Sequence, residues 1–142
     1  MIKVIFYKDS GNFFDKLIRW WTYGPYSHCE IVINGVMYSA DSRNNIVRKA
    51  YFMQDVSKWD EVTLNLPSAP IKAFLESQLG KEYDYIGIIF SQIFNLKFHN
   101  KNKWFCSELC AAALKTDLGI LQSSQRIHPN KLYGIVQRYT NV

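Results

Sequence analysis

The sequence predicts an α+β domain in which a small antiparallel sheet is flanked by segregated helices. Short runs of β-branched and aromatic residues dominate the first half of the chain. An Asn-Gly pair sits between two of these runs, the strongest short hairpin signal in the sequence. After Pro67 the spacing becomes helical. At 142 residues the chain is near the usual size of one domain, so a single domain over residues 1–142 is expected. With 48% hydrophobic and 20% charged residues, the composition argues against a long disordered segment. The 15% aromatic share points to a thick core or an aromatic-lined cleft.

Ile2 to Tyr7 reads as a strand, broken by Asp9-Ser10-Gly11-Asn12. Phe13, Leu17, Trp20 and Trp21 recur at helical spacing and give a first helix that ends before Gly24-Pro25. Ser27 to Ile33 is a strand, and Val36 to Ala40 returns from Asn34-Gly35 as its partner. Asp41 to Asn45 forms a polar turn, Ile46 to Ala50 another strand, and Glu61 to Leu66 alternates until Pro67 stops it. Ile71, Phe74, Leu75 and Leu79 mark an amphipathic helix closed by Gly80. A further helix is expected from Tyr85 to about Phe94, and an alanine-rich one from Leu109 to Leu118, ended by Gly119. Pro129 suits the first turn of a last helix through Tyr139.

The net charge of +5 is spread along the chain. It permits anionic lipid or nucleic acid as a partner without indicating either, and no sequence-specific nucleic-acid site is expected. The Lys97 to Lys103 cluster reads as a solvated loop. Three cysteines and an opening without a signal-peptide pattern fit a reduced cytoplasm. The longest apolar run, Tyr85 to Phe94, is interrupted by Ser91 and Gln92 and is too short to span a bilayer, so no transmembrane anchor is expected.

Cys106 stands where an aromatic pair gives way to a helix, which places its sulfur in the first turn. There the unpaired N–H groups and the positive end of the helix dipole favour a thiolate, and the same N–H groups can hold an oxyanion. An intracellular cysteine is most often a small buried hydrophobe, and Cys110, one turn deeper, fits that description. Strand alternation sends His28 and Glu30 to one face and Cys29, Ile31 and Ile33 to the apolar one. A cysteine at a helix start and a histidine on a sheet face, far apart in sequence, suit a nucleophile and its base. A third polar group usually orients such a histidine. Ser39 and Asp41 share one face of the partner strand, and the residues leave both as candidates. No metal site is expected, because Cys-x3-Cys without a second ligand pair does not match zinc spacing, and His99 and His128 show no ligand spacing.

Three blocks, Ser27-His28-Cys29-Glu30-Ile31-Val32-Ile33, Gly80-Lys81-Glu82-Tyr83-Asp84-Tyr85-Ile86-Gly87 and Phe105-Cys106-Ser107-Glu108-Leu109, resemble in that order the permuted NlpC/P60 papain-like superfamily. That superfamily includes a YaeF/YiiX-like bacterial group, lecithin:retinol acyltransferase-like enzymes, a poxvirus family and small phage proteins. The resemblance covers residues 27–132. It implies a permuted papain-like fold with the catalytic cysteine at a helix N-terminus, Cys106 as nucleophile and His28 as base. It also implies that Tyr83 lies near the cleft as an oxyanion or substrate contact. Many relatives carry a clear polar partner on the strand after the histidine, where this chain has only Ser39 and the more distant Asp41.

The expected function is therefore cleavage of an amide or ester through a thioacyl intermediate, on a peptide, protein or lipid acyl substrate and without a cofactor. The expected location is the cytoplasm, or a host cytoplasm if the chain is phage-encoded. A lipid-directed acyltransferase and a non-catalytic binding or inhibitory module using the basic surface are the alternatives. The sequence leaves the substrate and the oligomeric state open.

Overall fold

Alternation along Ile2–Tyr7 builds the first strand, β1, with Ile2, Val4 and Phe6 buried on one face and Ile5 on the other. Burial on both faces suits a central strand. The computed structural model describes residues 1–11, 13–41, 46–53, 55–82, 106–120 and 127–140. The other strands are β2 (His28–Ile33), β3 (Val36–Asp41), β4 (Ile46–Tyr51) and β5 (Trp59–Leu64). They form one five-stranded sheet of order β4-β3-β2-β1-β5, antiparallel at every pairing.

The turn between β2 and β3 has φ of 50° at Asn34 and 79° at Gly35, the two positive values of a type I′ hairpin. β5 begins earlier than Glu61 and stops before Leu66. At its start, Trp59 pairs with Tyr7 and packs on its ring at 5.1 Å. At its end, Leu64 pairs with Ile2, the first residue of β1, so the ladder has no further partner. A single 3-10 turn, Val56–Lys58, leads into β5, and the Asp55 side chain accepts the Ser57 N–H at 3.0 Å.

Four helices are described: α1 (Phe13–Thr22), α2 (Ser68–Gln78), α3 (Cys106–Leu114) and α4 (Pro129–Thr140). Val4, Phe6, Cys29, Ile31, Val62 and Leu64 of the sheet meet Ile71 and Leu75 of α2, Leu109 and Leu114 of α3, and Leu132 and Val136 of α4 in one core. On the opposite sheet face, Ile5, Val32 and Met37 form a smaller cluster with Phe52 and Trp59.

α1 does not turn all its aromatics inward: Phe13 and Trp20, seven residues apart on one side, are exposed, while Ile18 is buried. α3 starts at Cys106 and ends at Leu114, short of the expected Leu118. Thr116 and Asp117 are poor helix formers, and a turn closing on Gly119 (φ 59°) completes the element. The helix expected from Tyr85 to Phe94 lies outside the described residues. Gly80, at φ 81° just past α2, donates to the Val47 carbonyl at 2.8 Å, and Val47 donates to the Lys81 carbonyl at 2.8 Å. The segment after α2 thus bonds to β4. Among the described residues, no helix is long and apolar enough to cross a membrane.

Candidate active site

The site grows out of the place where the β2–β3 ladder stops. In a two-residue hairpin, the residues flanking the turn form a hydrogen-bonded pair, so Ile33–Val36 and Ile31–Tyr38 are hydrogen-bonded rungs. The ladder ends at Ile31–Tyr38, and the next such rung would have fallen at Cys29. The Cys29 backbone turns instead to α3. Its carbonyl accepts the Cys110 thiol at 3.8 Å, and its N–H donates to the Cys106 sulfur. The Cys29 thiol is also hydrogen-bonded to Cys106. The start of α3 therefore takes the place of a sheet rung beside β2.

His28, the first residue of β2, is hydrogen-bonded to Cys106, and its Nε2 lies 2.8 Å from Glu30 Oε1. With Nε2 engaged by the carboxylate, Nδ1 is the ring nitrogen left for the sulfur. Trp59 flanks the imidazole in an edge-to-face arrangement with centroids 6.2 Å apart. Glu30 is buried, and its Oε2 makes no hydrogen bond among the described residues. The His28 side chain retains 23% exposure, whereas Cys106 retains 1%.

Electrostatics couple the pair. Burial raises the Cys106 thiol pKa, but the hydrogen bond from Cys29, the charge and hydrogen bond of His28 and the Cys29 backbone N–H together bring it well below an ordinary thiol. Burial lowers the His28 pKa, yet the Cys106 sulfur and then Glu30 outweigh it and lift the imidazole well above its usual value. Both shifts act toward a thiolate beside an imidazolium. Cys106 opens α3, so the N–H groups of the first turn have no intrahelical acceptor, and the positive end of the helix dipole lies at the sulfur.

The segment before His28 is fixed from a distance. The Asn130 side chain accepts the Tyr26 N–H at 3.0 Å and donates to the Tyr26 carbonyl at 2.9 Å and to Thr22 Oγ1 at 2.7 Å. Tyr26 Oη donates to Asp60 at 2.7 Å. Gly24 leaves room for Asn130, because a Cβ there would lie 2.3 Å from its side chain.

Of the residues singled out from sequence, Cys106 and His28 are brought together. Ser39 is buried on β3, but the hydrogen-bond partners of the His28 ring among the described residues are Glu30 and Cys106. Asp41 closes β3 and its side chain lies outside the described residues, as does Tyr83. Glu30 was missed as a partner. Its signal was present: it shares the His28 face two residues on, and a carboxylate between apolar strand residues needs a partner when buried. His128 serves α4, its Nδ1 accepting the Lys131 N–H at 3.2 Å. Compared with known proteins, the chain matches no protein-family model, no curated protein and no solved structure.

Proposed function

We propose that this chain is a cysteine hydrolase of permuted papain-like arrangement, cleaving an amide or ester bond with Cys106 as nucleophile, His28 as base and acid, and Glu30 orienting His28. The observation that carries the reading is the contact of Cys106, at a helix start, with a His28 ring whose other nitrogen is held by Glu30. The Cys106 thiolate attacks the carbonyl carbon, and the first-turn N–H groups of α3 receive the oxyanion. His28 gives its proton to the departing amine or alkoxide, leaving a thioester on Cys106. The neutral imidazole then takes a proton from water, the hydroxide attacks the thioester, and the acid leaves with the thiolate restored. Peptide, protein and lipid acyl groups all offer the required carbonyl, and the resemblance of the three blocks supports this class of reaction.

With 1% exposure, Cys106 offers little open surface to a substrate carbonyl. That closure favours a second reading, a binding or inhibitory module that keeps the arrangement without turnover. Thiol reactivity separates the two. With iodoacetamide, Cys106 is expected to be alkylated ahead of Cys29 and Cys110, at a rate that persists below the pH where an ordinary thiol of pKa about 8.5 becomes unreactive. Mass spectrometry of the labelled peptides ranks the three. A Cys106 no faster than a free thiol, with His28→Ala changing nothing, would leave the binding module.

A further inference from the structure

Cys29 is a buried thiol for which the proposed reaction has no use, yet it is a direct neighbour of the nucleophile. Strand alternation turns it to the helix side of the sheet with 0% exposure. Because the β2–β3 ladder ends one rung short of it, α3 packs directly on it. Its N–H and its thiol both meet Cys106, while its carbonyl holds the Cys110 thiol at 3.8 Å.

We propose that Cys29 is a resolving thiol: after hydrogen peroxide oxidises Cys106, Cys29 closes a Cys29–Cys106 disulfide that shuts the site reversibly. The proposal rests on the reading of Cys106 as the thiolate. In the first step the Cys106 sulfur attacks one peroxide oxygen and the O–O bond breaks. Cys106 becomes a sulfenic acid, and the released hydroxide takes the His28 proton and leaves as water. In the second step the Cys29 sulfur attacks the Cys106 sulfur, the S–O bond breaks, and the departing hydroxide carries off the Cys29 proton as a second water. Two thiols and one peroxide give one disulfide and two waters, with each sulfur oxidised by one electron.

The order of the steps follows from the surroundings. Burial, then hydrogen bonds to Cys106 and Cys110, keep Cys29 protonated, so Cys106 is the sulfur that meets the oxidant first. Peroxide is little larger than water, which suits a sulfur with so little open surface. Cys110 cannot take the resolving part without unwinding α3. Side chains four apart on a helix hold their Cβ atoms about 5–6 Å apart, whereas a disulfide needs about 3.5–4.5 Å.

The test treats the full chain with excess hydrogen peroxide, since a sulfinic acid consumes two peroxides per thiol, blocks free thiols under denaturing conditions and digests it without reductant. The expected product has lost two hydrogens and carries a linked peptide pair joining Cys29 to Cys106. Native iodoacetamide labelling of Cys106 falls about tenfold or more and returns after dithiothreitol. In Cys29→Ala, Cys106 instead gains two oxygens as sulfinic acid, and its labelling does not return. If that variant does not fold, the linkage in the wild-type chain decides. Wild-type protein with Cys106 as sulfinic acid and Cys29 free, or a link from Cys106 to Cys110, overturns the proposal. Fast labelling of untreated Cys106 combined with either result sinks the resolving thiol alone, whereas slow labelling of untreated Cys106 sinks the proposed function and this inference with it.

Discussion

Glu30 Oε1 lies 2.8 Å from His28 Nε2, although the two residues are separated by a single position on the same strand. The pair can form because alternation puts both side chains on one sheet face. The carboxylate thereby acts from within the histidine's own strand, a different route from the neighbouring-strand partner that the resemblance implied.

Glu30→Gln keeps the size of the side chain and removes its charge. The imidazolium then loses a partner that raises it, and alkylation of Cys106 near neutral pH is expected to slow by about tenfold, the effect of weakening the imidazolium by about 1.4 kcal/mol. Glu30→Asp is expected to recover part of the rate. Ser39→Ala, on a residue that is not a hydrogen-bond partner of the ring among the described residues, is expected to leave the rate within about twofold. A Glu30→Gln rate equal to wild type would remove Glu30 from the site.

The pH dependence of stability carries a distinctive mark. The raised His28 contributes stability that is full below the ordinary histidine value of 6.5 and declines as pH rises toward its folded value. The lowered Cys106 contributes stability that is full above the ordinary thiol value of 9.0 and declines as pH falls toward its folded value. Between 6.5 and 9.0 the two slopes cancel, because the folded pair holds on His28 the one proton that the unfolded chain holds on Cys106. Urea unfolding of wild type against Cys106→Ala should therefore give a difference that is flat across that window and shrinks on both sides. A difference rising steadily through the window would show that the folded pair holds fewer protons there than the unfolded chain, as a thiolate beside a neutral imidazole would.

The hydrogen bonds of Asn130 tie α4 to the residues just before His28. Asn130→Ala leaves both backbone groups of Tyr26 without that partner, and a loss of about 1–3 kcal/mol in unfolding free energy is expected. Reactivity of Cys106 should fall with it, since the start of β2 loses its anchor. Unchanged stability would mean that water replaces the amide at no cost.

Gly35→Ala tests the hairpin. The residue sits at φ 79°, and an added Cβ meets nothing within 4 Å, so the penalty is confined to the backbone. It is expected at about 1–2 kcal/mol, read from the urea midpoint. A cost near zero would mean that the turn relaxes to another type.

Much of this arrangement was legible in the chain because it depends on local periodicity. Runs of β-branched and aromatic residues marked β1 to β4, Asn34-Gly35 marked the tight hairpin, and the step into helical spacing at Cys106 placed a sulfur at a helix start. Glu30 had a local signal, its place two residues on from His28 on the same strand face, but the point where β3 parts from β2 was not legible. That is a property of sheet coiling and of α3 filling the gap, and no residue pattern encodes it locally. The link from Asn130 to Tyr26 spans 104 residues and has no periodicity to announce it. The early start of β5 reflects Trp59 packing on Tyr7, and the exposed side of α1 is a choice that helical spacing alone leaves open.

The missing rung at Cys29 also has a kinetic meaning. His28 and Cys29 belong to a hairpin whose contacts are short-range, whereas Cys106 comes from the last third of the chain and must cross a large loop before it docks. Until α3 reaches β2, Cys106 is a plain thiol and His28 a plain imidazole, so a nascent or misfolded chain carries no activated sulfur. Reactivity needs this long-range contact to have formed, and the rate of iodoacetamide labelling during refolding would serve as a clock for that event.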